Sequence, residues 1–200
     1  MVSRVARRLP RSFYARECLV VAEELVGMHL VQRRVGGHVV SGRIVETEAY
    51  IGEEDQACHA RFGKTKRASL LFGPPGHAYV FLIYGMYDCF NVVAEPEGRP
   101  AAVLVRAVEP GEGLDAGVRT DGPGKLCRAL GITRTHNGLD VVAKESVVWL
   151  EDRGTPAQRV RTTPRIGVEY AGEWAKRPWR FIDADSPSVS RILRRPRKPT

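Results

Sequence analysis

Arg43-Ile-Val-Glu-Thr-Glu-Ala-Tyr50 is the run on which the fold of this 200-residue chain turns. Its β-branched residues favour an extended backbone, in which successive side chains point to opposite faces. Period two puts Ile44, Glu46, Glu48 and Tyr50 on one face and Val45, Thr47 and Ala49 on the other. A wall of two carboxylates and a phenol has two explanations. Partly desolvated like charges make at least one carboxylate easier to protonate, which suits proton-transfer chemistry. Alternatively, an edge strand carries glutamates to resist aggregation.

Upstream of this run, Gly36-Gly37 separates strand-like residues 29–35 from 38–50, the pattern of a tight hairpin whose glycines take positive φ freely. Before that, Cys18, Val21, Ala22, Leu25 and Val26 recur at helical spacing until Gly27 stops them. Downstream, residues 51–72 form a loop with Arg61, Lys64, Lys66 and Arg67, punctuated by Gly73-Pro-Pro-Gly76. Residues 77–84 and 88–94 predict a second hairpin with Tyr84-Gly-Met-Tyr87 at its tip. An apolar tip either belongs to the core or forms a wedge that enters between stacked bases. Residues 101–108 predict an inner strand, and Arg106 within it needs a buried acidic partner, the glutamates being the candidates.

Asp121-Gly-Pro-Gly-Lys-Leu opens a helix that ends at Gly131, and its N-terminus beside Lys125 suits a phosphate or only water. Residues 140–150 predict a strand, 154–163 a loop and 179–182 a strand. The fold expected is α+β: a single compact domain over 1–200 with a curved antiparallel sheet, flanking helices and a protruding hairpin. Its sheet strands are 31–35, 39–50, 78–84, 89–94 and 102–107, and the basic ends 1–10 and 192–200 are frayed.

Hydrophobic residues make up 43% of the chain and charged ones 27%, an ordinary balance for a soluble globular protein. The formal charge of +8 is less ordinary and points to a polyanionic partner, nucleic acid before membrane, unless it serves solubility alone. Cys18, Cys58, Cys89 and Cys127 contain no Cys-x-x-Cys pair, which suits buried or free thiols. Cys58 and His59 are adjacent and diverge on an extended backbone, so they do not share a metal. No signal-peptide core and no bilayer-length apolar run is present, so an intracellular protein without a membrane partner is expected.

Several long runs together resemble one family. Arg-Ile-Val-Glu-Thr-Glu-Ala-Tyr, the Asp55/His59 loop, Tyr79-Val-Phe-Leu-Ile-Tyr-Gly-Met-Tyr-Asp-Cys-Phe-Asn-Val-Val93 and Val103-Leu-Val-Arg-Ala-Val-Glu-Pro110 are similar to the alkyladenine (3-methyladenine) DNA glycosylases. Gly122-Pro-Gly-Lys-Leu-Cys-Arg-Ala-Leu130 and Tyr170-Ala-Gly-Glu-Trp-Ala-Lys-Arg-Pro-Trp-Arg-Phe181 extend the likeness, which spans about residues 9 to 191.

The resemblance implies a base-excision repair enzyme. It would flip a damaged purine out of duplex DNA and hydrolyse the N-glycosidic bond, acting as a monomer with no cofactor and no metal. Glu48 matches the general base, Arg106 the arginine that helps hold the attacking water, and the backbone at Ile166 completes that site. Tyr50 and His59 match the residues that sandwich the base. Phe81 stands where many members have tyrosine, so stacking survives and a hydroxyl contact is lost. Asn91 matches the floor residue that disfavours guanine, and Tyr84 the residue that fills the gap in the DNA. Met86, Tyr87 and Lys125 are the further DNA-contacting positions. The resemblance gives damaged purines of the 3-methyladenine, 7-methylguanine, hypoxanthine and ethenoadenine class as substrates, and no amine is placed for strand-cleaving lyase chemistry. Two departures, a connector shorter than usual between Glu109 and Asp121 and Ala68 in place of a common asparagine, bear on DNA contacts or substrate range. Two other classes compete: a non-catalytic nucleic-acid-binding module, and a metal-dependent nuclease using Glu46, Glu48, Asp55 and His59.

Overall fold

The computed structural model describes residues 6–115 and 117–190; the expected fraying at 192–200 lies outside the described residues. Among the described residues nine strands form one antiparallel sheet, with helices few and short, so the chain is a single compact α+β domain. In chain order the strands are β1 (Arg7–Arg8), β2 (His29–Arg33), β3 (Val39–Ile51), β4 (Ala78–Ile83), β5 (Tyr87–Val93), β6 (Ala101–Pro110), β7 (Val148–Asp152), β8 (Val160–Thr163) and β9 (Arg180–Asp183). The helices are α1 (Arg11–Tyr14), α2 (Cys18–Glu24) and α3 (Pro123–Leu130), with 3-10 turns at His59–Phe62, Ser69–Phe72, Arg134–His136 and Glu169–Lys176. The strand order is β1-β7-β2-β3-β6-β5-β4, and β9 joins β3 to β8.

β3 is the axis of this arrangement. Thirteen residues are long enough to serve two partners along one edge: β2 pairs with Val39–Arg43 and β9 with Glu46–Glu48, while β6 runs along the opposite edge from Gly42 to Ile51. The strand is therefore interior, and edge protection does not explain its glutamates. The register against β6 slips between Ile44 and Thr47, leaving Val45 and Arg106 without a direct cross-strand partner. Such a bulge re-aims side chains. It corrects the simple alternation: Ile44 joins the aliphatic core with Ala49, while Glu46 and Glu48 enter a polar layer.

Gly36 and Gly37 take φ of 86° and 84°, as the β2–β3 turn requires. α2 lays Cys18, Val21 and Ala22 on one face of the sheet, where the Thr47 hydroxyl donates to the Ala22 carbonyl at 2.7 Å. Leu126, Cys127 and Leu130 of α3 cover the same face over β5 and β6. Between them lie Val80, Phe90, Val92, Val103 and Val105, giving a continuous aliphatic core. All four cysteines are free and buried.

Three expectations are corrected here. Residues 7–10 are docked rather than frayed: β1 pairs with β7, Leu9 is buried, and Arg8 stacks 4.6 Å over Trp149, while residues 1–5 of the expected frayed end lie outside the described residues. The strand expected at 140–150 is confined to β7, because residues 141–147 turn back, with Asp140 accepting from the Val142 amide. The loop expected at 154–163 ends in β8, a polar strand formed by pairing with β9.

Candidate active site

The opposite face of the sheet carries the site. Glu48, Leu104, Asn91 and Tyr79 are cross-strand partners in series over β3, β6, β5 and β4. Direct partners share a face, so this row runs from the carboxylate to the far hairpin, about 4.8 Å per strand. The next row, Tyr50, Ala102 and Val93, has small central side chains. Residues 52–73 fold over this face and bury a second apolar cluster of Cys58, Ala60, Ala68, Leu71, Tyr79, Val93 and Ala102, with Tyr50 and Phe81 half-buried against it.

Glu48 is fully buried. Its Oε1 accepts from the Ile166 amide at 2.8 Å, and its Oε2 accepts from the Tyr50 hydroxyl at 2.7 Å and Arg106 Nη1 at 3.2 Å. Glu46 is equally buried but more fully engaged. Its Oε1 accepts from Arg106 Nε, Arg180 Nε and the Ser190 hydroxyl, and its Oε2 from the Ser190 amide. A carboxylate offers about four acceptor positions. Among the described residues Glu46 takes three donors on Oε1 and one on Oε2, and Glu48 one on Oε1 and two on Oε2, so each keeps a position on one oxygen; what sets Glu48 apart is its bond to the Tyr50 hydroxyl and its place in the row with Asn91 and Tyr79. Arg106 lies between the two carboxylates, the acidic partnership its position in an apolar strand demands. Burial alone would lower its pKa, but Glu48 and Glu46 outweigh that and raise it. Burial, then the charge of Glu48, raises the Tyr50 phenol well above its ordinary range, so it remains a donor.

His59 begins the short turn His59–Phe62, N-capped by Cys58, whose sulfur accepts from the Ala60 amide. Its Nδ1 lies 2.8 Å from the Tyr79 hydroxyl, and its ring meets Phe81 edge-on at 4.7 Å. Burial, reinforced by Arg67 and Arg61, pushes the imidazole down to about 4, so it is neutral at pH 7. The hydroxyl partner of His59 is thus Tyr79, and Phe81 contributes only its ring. Asn91 is buried, its amide nitrogen donating to the Tyr79 and Cys89 carbonyls at 3.0 and 3.3 Å, which fixes the side chain in the row.

The β4–β5 hairpin ends in Tyr84, Gly85 and Met86, with Tyr84 72% and Met86 66% exposed. Tyr84 has φ of 52°, a left-handed value unfavourable for a bulky side chain, by about 1–3 kcal/mol. A methyl group on Gly167 would lie 4.0 Å from the Tyr84 hydroxyl, so the tip leans toward the segment that holds Glu48. Tyr87 packs on Gly124 so closely that a Cβ there would sit 2.7 Å from the ring, tying the hairpin to α3. Lys125 pairs with Asp121 at 3.1 Å and is part-exposed. Ala68 is buried in the second cluster and is a packing position.

Three groups escaped the sequence. Arg165 forms a fully buried two-point ion pair with Asp55 at 2.6 and 2.8 Å; Arg180 and Ser190 complete the shell of Glu46; Tyr79 holds His59. Asp55 to Arg165 is the kind of acidic-basic pairing that a buried guanidinium requires, but 110 residues separate the two and no local pattern links them. The four residues considered as a nuclease metal set do not converge. Asp55 is engaged by Arg165, Glu46 by Arg106, Arg180 and Ser190, Glu48 by Tyr50, Arg106 and the Ile166 amide, and His59 by Tyr79. Among the described residues no helix is long and apolar enough to cross a membrane.

Comparison with known proteins agrees with this geometry. The family profile described as Methylpurine-DNA glycosylase (MPG) matches residues 12–187. A protein of Myxococcus xanthus (strain DK1622) is 58% identical over 185 residues, covering 92% of this chain and 93% of its own. One from Methanocella arvoryzae is 53% identical, covering 92% and 96%, and one from Legionella pneumophila (strain Corby) is 46% identical, covering 92% and 99%. All three carry the name "Putative 3-methyladenine DNA glycosylase". With residues 12–187 matched, and relatives of 46–58% identity covering 92% of it, the chain belongs to the methylpurine-DNA glycosylase family.

Proposed function

We propose that this protein is a monofunctional DNA glycosylase. It takes a damaged purine out of duplex DNA and hydrolyses its N-glycosidic bond, leaving an abasic site. The substrate class is 3-methyladenine, 7-methylguanine, hypoxanthine and ethenoadenine, and the protein acts as a monomer without a cofactor. The observation that carries the reading is where the two buried carboxylates sit. Glu46 is enclosed by Arg106, Arg180 and Ser190, whereas Glu48 bonds the Tyr50 hydroxyl beside the aromatic pocket and takes a single donor on Oε1, which leaves that oxygen a position for water.

In the reaction Glu48 accepts a proton from water, and the water oxygen forms a bond to the sugar C1′. The bond from C1′ to the purine nitrogen breaks, and its electron pair leaves with the base. The state passed through resembles an oxocarbenium ion, which a fixed carboxylate also stabilises electrostatically. An alkylated purine already carries positive charge and departs neutral; hypoxanthine and ethenoadenine leave as anions unless protonated. Arg106 and the Ile166 amide keep Glu48 oriented, and the Tyr50 hydroxyl stays protonated as a third donor.

Base flipping is required because the bond is unreachable inside the stack. Tyr50 on one side and His59 with Phe81 on the other would sandwich the extruded base, each stacking contact contributing about 1–3 kcal/mol. A neutral His59 ring accepts a cationic purine without charge repulsion. Tyr84 would occupy the gap in the duplex; Met86, the exposed edge of Tyr87 and Lys125 would meet the backbone beside it. Incubating methylated DNA with the protein and separating the small products tests the assignment. Free 3-methyladenine is expected; fragments that still carry deoxyribose, or no release at all, would overturn it.

A further inference from the structure

Resting on that reading, we infer that the Asp55–Arg165 ion pair is a positioning element. It sets the stacking ring and the catalytic carboxylate at once, and it deepens the assignment rather than adding a second activity. Both side chains are fully buried, and neither hydrogen-bonds nor ion-pairs with Glu48. Their contacts reach nearly every part of the site.

Arg165 Nη1 donates to Asp55 Oδ2 and to the Ala49 carbonyl, between Glu48 and Tyr50 on β3. Nη2 donates to Asp55 Oδ1 and the Trp174 carbonyl. The guanidinium carbon lies over two rings, 4.7 Å from the Tyr50 centroid and 5.1 Å from that of Trp179, and so backs the ring on which a base would stack. The peptide that follows Arg165 carries the Ile166 amide that holds Glu48 Oε1 at 2.8 Å. Asp55 works from the other side. Its two oxygens also accept from the Ile51 amide, one residue beyond Tyr50, and from the Ala57 amide, at the start of the turn that presents His59. One ion pair therefore fixes the end of β3, the back of Tyr50, the approach to His59 and the donor to Glu48.

The energetics favour a functional role over a stabilising one. Replacing a buried ion pair with uncharged groups is often neutral or stabilising, because desolvation offsets the attraction. Arg165 Nε is, besides, a buried donor with no partner among the described residues, a feature that needs an explanation beyond stability. A bidentate, stacked arginine is not interchangeable with lysine, since a single ammonium reproduces neither the fork nor the plane.

The test is Arg165→Lys in the full chain, which keeps a cation against Asp55. Wild type and Glu48→Gln are measured beside it on duplex DNA with one hypoxanthine. Single-turnover excision should fall about 30- to 100-fold, the scale of a misplacement on the order of 1 Å. Lesion-DNA affinity should fall by less than about fivefold, so the rate loss is not a binding loss. The side-chain carboxyl carbon resonance of Glu48 in the free protein should move as its donors shift. A rate within about threefold of wild type, or a slowed enzyme with an unmoved Glu48 carboxyl resonance, would overturn the inference. If Arg165→Lys does not fold, Asp55→Asn/Arg165→Met removes both buried charges and decides by the same criteria. Wild type that releases no base, or Glu48→Gln that keeps its rate, would instead overturn the assignment of the site.

Discussion

The two faces of the central sheet share every strand and almost nothing else. Phe90 and Asn91 are neighbours on β5, yet Phe90 is enclosed among aliphatic side chains under α2 and α3, whereas Asn91 stands in a row with Glu48 and Tyr79. One face is held by apolar burial, which tolerates substitution of similar volume and is indifferent to exact donors. The other buries Glu46, Glu48 and Asp55 against Arg106, Arg180 and Arg165, an arrangement that gains little stability but fixes direction. The division of labour is that the first face makes the sheet and the second makes a geometry. Substitutions should separate the two.

The largest separation should come from Glu48→Gln, which is nearly isosteric and removes the proton acceptor. Excision should fall by roughly 10²–10⁴-fold, while melting temperature and lesion-DNA affinity change little; single-turnover kinetics with parallel thermal denaturation would show it. Phe90→Ala should invert the pattern. Loss of a fully buried aromatic should cost about 3–5 kcal/mol of stability in chemical denaturation, with excision per folded molecule retained. Tyr84→Ala lies outside both faces and should leave stability nearly unchanged, since the side chain is exposed and alanine keeps the same left-handed φ cost, while lesion affinity drops by about 1–3 kcal/mol in titrations with labelled duplex.

The smallest effect expected is on pH dependence. His59 on the site face and His29 beside Thr155 are both pushed down to about 4, chiefly by burial. The unfolded chain titrates near 6.5 and so binds more protons than the folded one between 6.5 and 4. Stability contributed by the neutral rings is complete above pH 6.5 and is lost as pH falls toward 4. His59→Phe and His29→Phe should each flatten that part of the stability profile, but only His59→Phe should also slow excision at pH 7.

The sequence made the aliphatic face legible because burial leaves a periodic trace: helical spacing in Cys18, Val21, Ala22 and Leu25, and strand alternation closed by Gly36-Gly37. β8 left no such trace, being the polar run Val-Arg-Thr-Thr made a strand by its partner β9. The bulge at Val45 and Arg106 is likewise absent from local patterning, and it moved Ile44 from the polar wall into the core. In the site, Arg106 and the glutamates could be paired from chemistry alone. Ile166 acts through its backbone amide, which no residue type encodes, and Arg180 and Ser190 reach Glu46 from 134 and 144 residues away.

The measurement that bears most directly on the account follows a duplex oligonucleotide with one hypoxanthine, incubated with wild type or Glu48→Gln in chelator. Each sample is divided, half heated in alkali and half not, and the strands are separated by length. Breaks at the lesion only after alkali, and only with wild type, are predicted, since hydrolysis at a Glu48 site leaves an intact backbone with an abasic sugar. Breaks without alkali, or equal cleavage by Glu48→Gln, would contradict it.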